Sequence, residues 1–201
     1  MYTIHTTPGF IISSRPSGEA GRLLSIFTKD FGLIRVIAEG TRFEKSKLRP
    51  FIQDYTFGVF SFVRGKEFWR LTNAQEIISA DIKNETKRRI KVELVARVAL
   101  LLGRLLQGEN PHPELFETLD KAINSDMITK GEPRSVTDLS EALESLIVIR
   151  ILHRLGYVAV IPEIKSQIES DEISTDILVV ADKHRILINQ HINKALKESH
   201  L

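Results

Sequence analysis

Residues 22–38 read RLLSIFTKDFGLIRVIA, and this stretch decides the first half of the fold. Arg22 to Thr28 and Leu33 to Ala38 are short runs of β-forming residues, and Asp30-Phe31-Gly32 between them is typical of a turn. In the second run Ile34, Val36 and Ala38 alternate with Leu33, Arg35 and Ile37. One set is therefore expected to face a core, while Arg35 points outward near a rim.

Further strands are predicted on both sides of this stretch. Phe10 to Ser14 forms a short strand that ends at Arg15-Pro16-Ser17-Gly18. Tyr55 to Val63 and Phe68 to Leu71 flank Arg64-Gly65-Lys66, a glycine-containing loop suited to a hairpin. Five short strands fit a small closed barrel.

The second half of the chain has helical periodicity. Leu, Ala, Glu and Arg recur at spacings of three and four, and Gly156 fits the left-handed position that follows a helix. The apolar run of residues 177–181 is compatible with helix or strand, and we favour helix. The predicted helices, which should form a bundle, are Lys83 to Leu106, His112 to Asn124, Thr137 to Leu155, Asp171 to Asp182 and the stretch from Arg185 to near Ser199.

Composition separates the same two halves. Met1 to Arg104 contains 18 basic and 10 acidic residues, a net charge of 18 − 10 = +8, whereas Leu105 to Leu201 contains 10 and 16, a net charge of −6. Twelve of the 14 aromatic residues lie at or before Trp69. A basic, aromatic β half is the candidate for binding a polyanion.

The basic residues of this half gather in two predicted loops and on the first predicted helix. In the loops they would neutralise phosphates and release counterions. Phe43, Tyr55, Phe68 and Trp69 could stack on unpaired bases, and Phe43 is the best candidate because it lies in a polar loop. The predicted DNA-binding set is Arg15, Arg35, Arg42, Phe43, Lys45, Lys47, Arg49, Arg64, Lys66, Arg70, Lys87, Arg88 and Lys91.

Several function classes find little support. The chain has no cysteine, no phosphate-binding loop, no dinucleotide fingerprint and no paired histidines at metal spacing. His184 and His191 lack a nearby set of carboxylates, so we expect no metal site there. No run approaches the ~20 apolar residues of a membrane span, and the first residues lack a signal sequence. We therefore expect a soluble cytoplasmic protein that is not an enzyme and needs no cofactor.

One order of residues resembles a known family. Arg15-Pro16-Ser17-Gly18-Glu19 is followed by Leu23-Leu24, Phe27-Thr28, Phe31-Gly32, residues 35–42 (RVIAEGTR) and Lys45-Ser46-Lys47-Leu48. This order and spacing is similar to the N-terminal domain of the RecO family, and a weaker likeness returns at residues 152–157. The chain departs from the family at Glu39, where lysine is usual, at Asp54, where proline is common, and in lacking the cysteines of zinc-bearing members.

The resemblance implies a fold and a function. The fold class is α+β with two domains, a five-stranded OB-type β-barrel over residues 1–80 and an α-helical bundle over residues 81–201. The function is that of a bacterial, nucleoid-associated DNA repair and recombination mediator, which binds single- and double-stranded DNA, anneals strands and works with RecR to load RecA. The family's helical domain also offers a groove for the tail of single-strand-binding protein, which would need basic residues such as Arg150 or Arg154.

Two other readings remain open. The first is an OB-type module that binds RNA or assists assembly, and the second is a protein-interaction module whose basic loops are incidental. The acidic half, with a net charge of −8 from Leu105 to Asp176, could confine DNA to the barrel or simply keep the surface soluble.

Overall fold

The computed structural model describes residues 2–43, 45–76, 85–124 and 133–199. Its five strands are β1 (Ile4–Ser17), β2 (Gly21–Thr28), β3 (Gly32–Ala38), β4 (Phe57–Arg64) and β5 (Trp69–Glu76). They close into a barrel in the order β1-β2-β3-β5-β4, in which only the β3–β5 pair is parallel. The predicted five-stranded barrel is thereby confirmed.

Strand β1 begins six residues earlier than predicted because it pairs on both sides. Its first half pairs with β4, from Ile4 opposite Val63 onward, and its second half pairs with β2. Within the half that pairs with β2, the register shifts around Ile12. A bulge of this kind bends a strand, which lets one long strand close a small barrel.

The barrel interior confirms the predicted alternation. Ile34, Val36 and Ala38 are fully buried, whereas Arg35 is exposed between the half-buried Leu33 and Ile37. The interior also holds apolar side chains from the other strands and from the connection before β4. Its buried members are Ile11, Leu24, Ile26, Ile34, Val36, Ala38, Ile52, Phe60, Phe62, Trp69, Leu71 and Ala74.

The chain divides into two compact units that do not follow the predicted boundary in full. The first contains Met1–Asp81 together with Ala99–Pro113, and the second contains Ile82–Val98 and Glu114–Leu201. In the first unit the Leu33 amide donates to the Gly108 carbonyl at 3.1 Å. Gly32 has a φ of +69°, and a Cβ there would lie 2.2 Å from the Asn110 carbonyl oxygen. Residues 99–113 therefore complete the barrel unit.

The helices are α1 (Glu85–Leu105), α2 (Pro113–Asn124), α3 (Pro133–Arg154), α4 (Lys165–Glu169), α5 (Thr175–Lys183) and α6 (Arg185–Glu198). Short 3-10 helices cover Arg49–Phe51 and Pro162–Ile164. In the second unit α3 packs against α4, α5 and α6. The ambiguous run at 177–181 is helical, with the Ser174 side chain capping α5, and Gly156 has the expected positive φ of +80°.

The fold class, an N-terminal barrel followed by helices, is therefore confirmed. Within the four described ranges, no helix combines the length and hydrophobicity that are needed to cross a membrane.

Candidate nucleic-acid interface

A groove runs over the outer face of β3, β5 and β4. It has a volume of about 890 Å3 and is lined by ten residues from these strands, the β4–β5 hairpin and the N-terminus. The strand register explains its floor, because Arg70 lies beside Ile37 on one side and opposite Val63 on the other. The groove residues are Tyr2, Ile37, Val63, Arg64, Gly65, Lys66, Glu67, Phe68, Arg70 and Thr72.

Three predicted basic residues line this groove. Lys66 is exposed at the tip of the hairpin, and the Arg70 side chain is 66% exposed. The Arg70 guanidinium lies 3.8 Å from a carboxylate oxygen of Glu39, the first residue after β3. An ion pair this exposed is weak, so Arg70 can exchange Glu39 for a phosphate.

Arg64 is held more firmly than the other two. Its guanidinium pairs with the Glu109 carboxylate and lies over the Trp69 ring, 4.7 Å from the ring centroid. The same carboxylate accepts a hydrogen bond from the Trp69 indole Nε1 at 3.0 Å. Arg64 therefore has a fixed position at the rim, but Glu109 neutralises part of its charge.

The second predicted basic loop is the connection after β3. It is anchored to the β1–β2 turn, because the Arg42 amide donates to the Ala20 carbonyl at 3.0 Å and its Nη1 donates to the Glu19 carbonyl at 3.1 Å. Arg42, Lys45, Lys47 and Arg49 are all exposed. Phe43 is 64% exposed, as a base-stacking residue requires.

The remaining predicted DNA contacts lie elsewhere. Arg15 is exposed on β1 opposite Leu23. Arg35 lines a separate cleft of about 520 Å3, which also contains Glu67 and Glu109. The structure does not place Arg15 or Arg35 in the groove. The backbone of Lys87, Arg88 and Lys91 is part of α1, and their side chains lie outside the described residues.

Trp69 does not offer a face for stacking. It is only 3% exposed and packs against Phe31, His5 and Phe62, with ring centroids 5.0, 5.5 and 6.1 Å away. Tyr55 and Phe68 are half-buried. The groove instead contains Tyr2, whose surface is 84% exposed. The sequence patterns do not identify Tyr2, because they predict no strand before Phe10.

In the helical unit, Arg150 is not available to a partner. It is fully buried in α3, and its Nε and Nη2 donate to the carbonyls of Gln167 at 2.7 Å and Glu172 at 3.0 Å. Burial lowers the pKa of Arg150 to about 10, with nearby Asp171 acting in the opposite direction. Its place within the apolar run LIVIRIL is the sequence signal for this structural role.

Arg154 is also committed within the helical unit. Its side chain is 14% exposed and pairs with Asp171 and, at 3.2 Å, with Glu114. Burial by itself would raise the pKa of Asp171, but a 2.9 Å hydrogen bond from Thr118 and the charges of Arg154 and Lys121 lower it overall. The expected contacts of Arg150 and Arg154 with a partner's tail are thus replaced by internal ones.

Comparisons with known proteins agree with the barrel. A family model described as "Recombination protein O N terminal" matches residues 1–80. The chain is 27% identical to a DNA repair protein RecO from Trichodesmium erythraeum, over 82% of this chain and 56% of the relative. Two further proteins of that name, from Halalkalibacterium halodurans and Synechococcus elongatus, are 29% and 32% identical over 60% and 59% of this chain, and over 46% and 44% of themselves. The chain spans about half the length of the curated relatives it matches.

Proposed function

Because this chain belongs to the RecO family, we propose that it is a recombination mediator that binds single- and double-stranded DNA and anneals complementary strands in DNA repair. The observation that carries this proposal is the groove over β3, β5 and β4, where exposed Lys66 and Arg70 line the same surface as the apolar residues Ile37 and Val63. The loop after β3 adds four more exposed basic residues to the same unit, Arg42, Lys45, Lys47 and Arg49.

The contacts expected here are contacts to phosphate. Lys66, Arg70 and the loop residues Arg42, Lys45 and Lys47 are exposed side chains on loops or a strand face. Lysine and arginine in such positions release counterions from DNA without reading base edges. Binding should therefore be insensitive to sequence and should weaken steeply as salt increases.

A protein of this kind works through binding free energy. We propose that it acts in the bacterial cytoplasm near the nucleoid, needs no cofactor or active site of its own, and works with RecR to load RecA onto strands covered by single-strand-binding protein. Holding two strands on one basic surface lowers their mutual repulsion, which is the physical basis for annealing. Arg150 and Arg154 are held by internal contacts, so we do not assign them to the tail of single-strand-binding protein.

Charge reversal in the groove tests the proposal. Fluorescence anisotropy with labelled single-stranded DNA, duplex DNA and RNA is measured across salt for the wild type and for the double variant Lys66→Glu, Arg70→Glu. Each lost phosphate contact should reduce the salt slope, the steepness of log affinity plotted against log salt concentration, by about 1. The double variant should therefore have a salt slope smaller by about 2 and should bind more weakly at every salt concentration.

A matched control separates groove charge from net charge. Lys183→Glu with Lys194→Glu makes the same formal change on exposed positions of α5 and α6 and should leave DNA affinity unchanged. Equal losses in the two double variants would contradict a role for the groove. A wild type that prefers RNA, or that fails to anneal complementary strands, would contradict the mediator function.

A further inference from the structure

An exposed apolar edge borders the basic groove. Tyr2, just before β1, is 84% exposed and lines the groove, and Ile4, two residues later, is 63% exposed. Ile4 pairs with Val63 of β4, which also lines the groove. Exposed apolar side chains that lie together beside a groove, unlike ones scattered singly over a surface, mark a candidate binding site.

The charges beside this edge indicate the chemistry of what binds. Lys66 and Arg70 line the same groove as Tyr2, and Glu67 is its one acidic lining residue. A matching ligand must therefore present negative charges together with flat apolar faces. An unpaired nucleic-acid strand has both, whereas a duplex shows its phosphates but encloses its base faces.

We propose that Tyr2 stacks on a base of an unpaired DNA strand whose phosphates lie at Lys66 and Arg70, so that Tyr2 gives the groove its preference for single strands over duplex. This inference rests on the proposed function, because it assumes that the groove binds DNA. Since Tyr2 is almost fully exposed, removing its ring changes the surface and leaves the barrel interior intact.

The test compares four forms of the full chain: wild type, Tyr2→Ala, Tyr2→Phe and Tyr157→Ala. Tyr157 is a matched control because it is a tyrosine that is 40% exposed in the helical unit. Affinities are measured for an oligothymidine strand, for a duplex, for a strand of the same length made of abasic sites and for a glutamate-rich apolar peptide.

Tyr2→Ala should weaken binding to oligothymidine by about 5- to 150-fold, the change that corresponds to ~1–3 kcal/mol per stacked base at about 1.4 kcal/mol for each factor of ten. Its duplex affinity and its salt slope should match the wild type. Tyr2→Phe keeps an aromatic ring and should keep the affinity, and Tyr157→Ala should behave as wild type. On the abasic strand, wild type and Tyr2→Ala should bind equally.

Three results would overturn this inference. They are an unchanged affinity of Tyr2→Ala for oligothymidine, an equal loss on single strand and duplex, or a loss that is confined to a glutamate-rich apolar peptide. In each of these cases a wild type that still binds DNA, and loses binding on reversal of Lys66 and Arg70, would leave the proposed function standing. A wild type that binds no DNA would instead contradict the proposed function itself.

Discussion

Replacing Arg150 with methionine should destabilise the helical unit by about 1–2 kcal/mol, and the structure shows how this value arises. Methionine keeps most of the volume and the apolar stem but loses the hydrogen bonds to the carbonyls of Gln167 and Glu172. Each hydrogen bond from a charged group contributes about 1.5–3 kcal/mol, so the loss amounts to about 3–6 kcal/mol.

Relief of the buried charge opposes this loss. Burial lowers the pKa of Arg150 to about 10, and at about 1.4 kcal/mol per pKa unit the charged form costs about 3 kcal/mol in the folded protein. Methionine removes that cost, together with the buried Nη1, which has no hydrogen-bond partner among the described residues. The difference between the two effects lies at about 0–3 kcal/mol, with its centre at about 1–2 kcal/mol.

Urea unfolding followed by circular dichroism at 222 nm measures this change. Arg150→Ala should cost more, about 4 kcal/mol, because it adds a cavity to the lost hydrogen bonds. Arg97→Met is the control, since Arg97 is 55% exposed and its 2.8 Å ion pair with Glu144 lies at the surface. That control should change the free energy of unfolding by less than about 1 kcal/mol. An Arg150→Met variant more stable than wild type would refute the reasoning that the two hydrogen bonds outweigh the burial of charge.

Three further outcomes are expected. Glu109→Ala leaves the buried Trp69 indole N–H without its acceptor and should lower the free energy of unfolding by about 1–3 kcal/mol. Glu109→Gln keeps a carbonyl acceptor and should cost less. The fluorescence of Trp69, the single tryptophan, reports the unfolding of both variants. Because the pKa of Asp171 is lowered, the ionised side chain stabilises the fold above the ordinary carboxyl pKa, and this stabilisation is lost as pH falls through the lowered value. Between about pH 5 and 3, the melting temperature of wild type should therefore fall more steeply than that of Asp171→Asn. Gly32→Ala forces a side chain into a left-handed position and against the Asn110 backbone, so a melting temperature equal to wild type would contradict that contact.

The candidate site was predictable where it depends on exposed charge. Lys66 and Arg70 were identified as basic residues of a hairpin region, and both line the groove. Arg64 was identified in the same way, but its pairing with Glu109 joins residues 45 positions apart in the chain. Tyr2 was missed because its place in the groove depends on β1 pairing with β4, a contact between distant parts of the chain.

Local patterns in the sequence determined the strands β2 and β3 and the turn between them. They also determined the positions of the main helices and the division into basic and acidic halves. Alternation, turn chemistry and helical spacing act over a few residues, so these features can be predicted from short stretches of sequence. The tertiary structure alone decided which exposed and apolar residues meet. It buried Trp69 in the barrel, and it satisfied Arg150 with carbonyls 17 and 22 residues away. It also brought Tyr2 beside the basic hairpin. Closing a barrel and packing a helix bundle pair distant residues, and short-range patterns contain no information about those pairs.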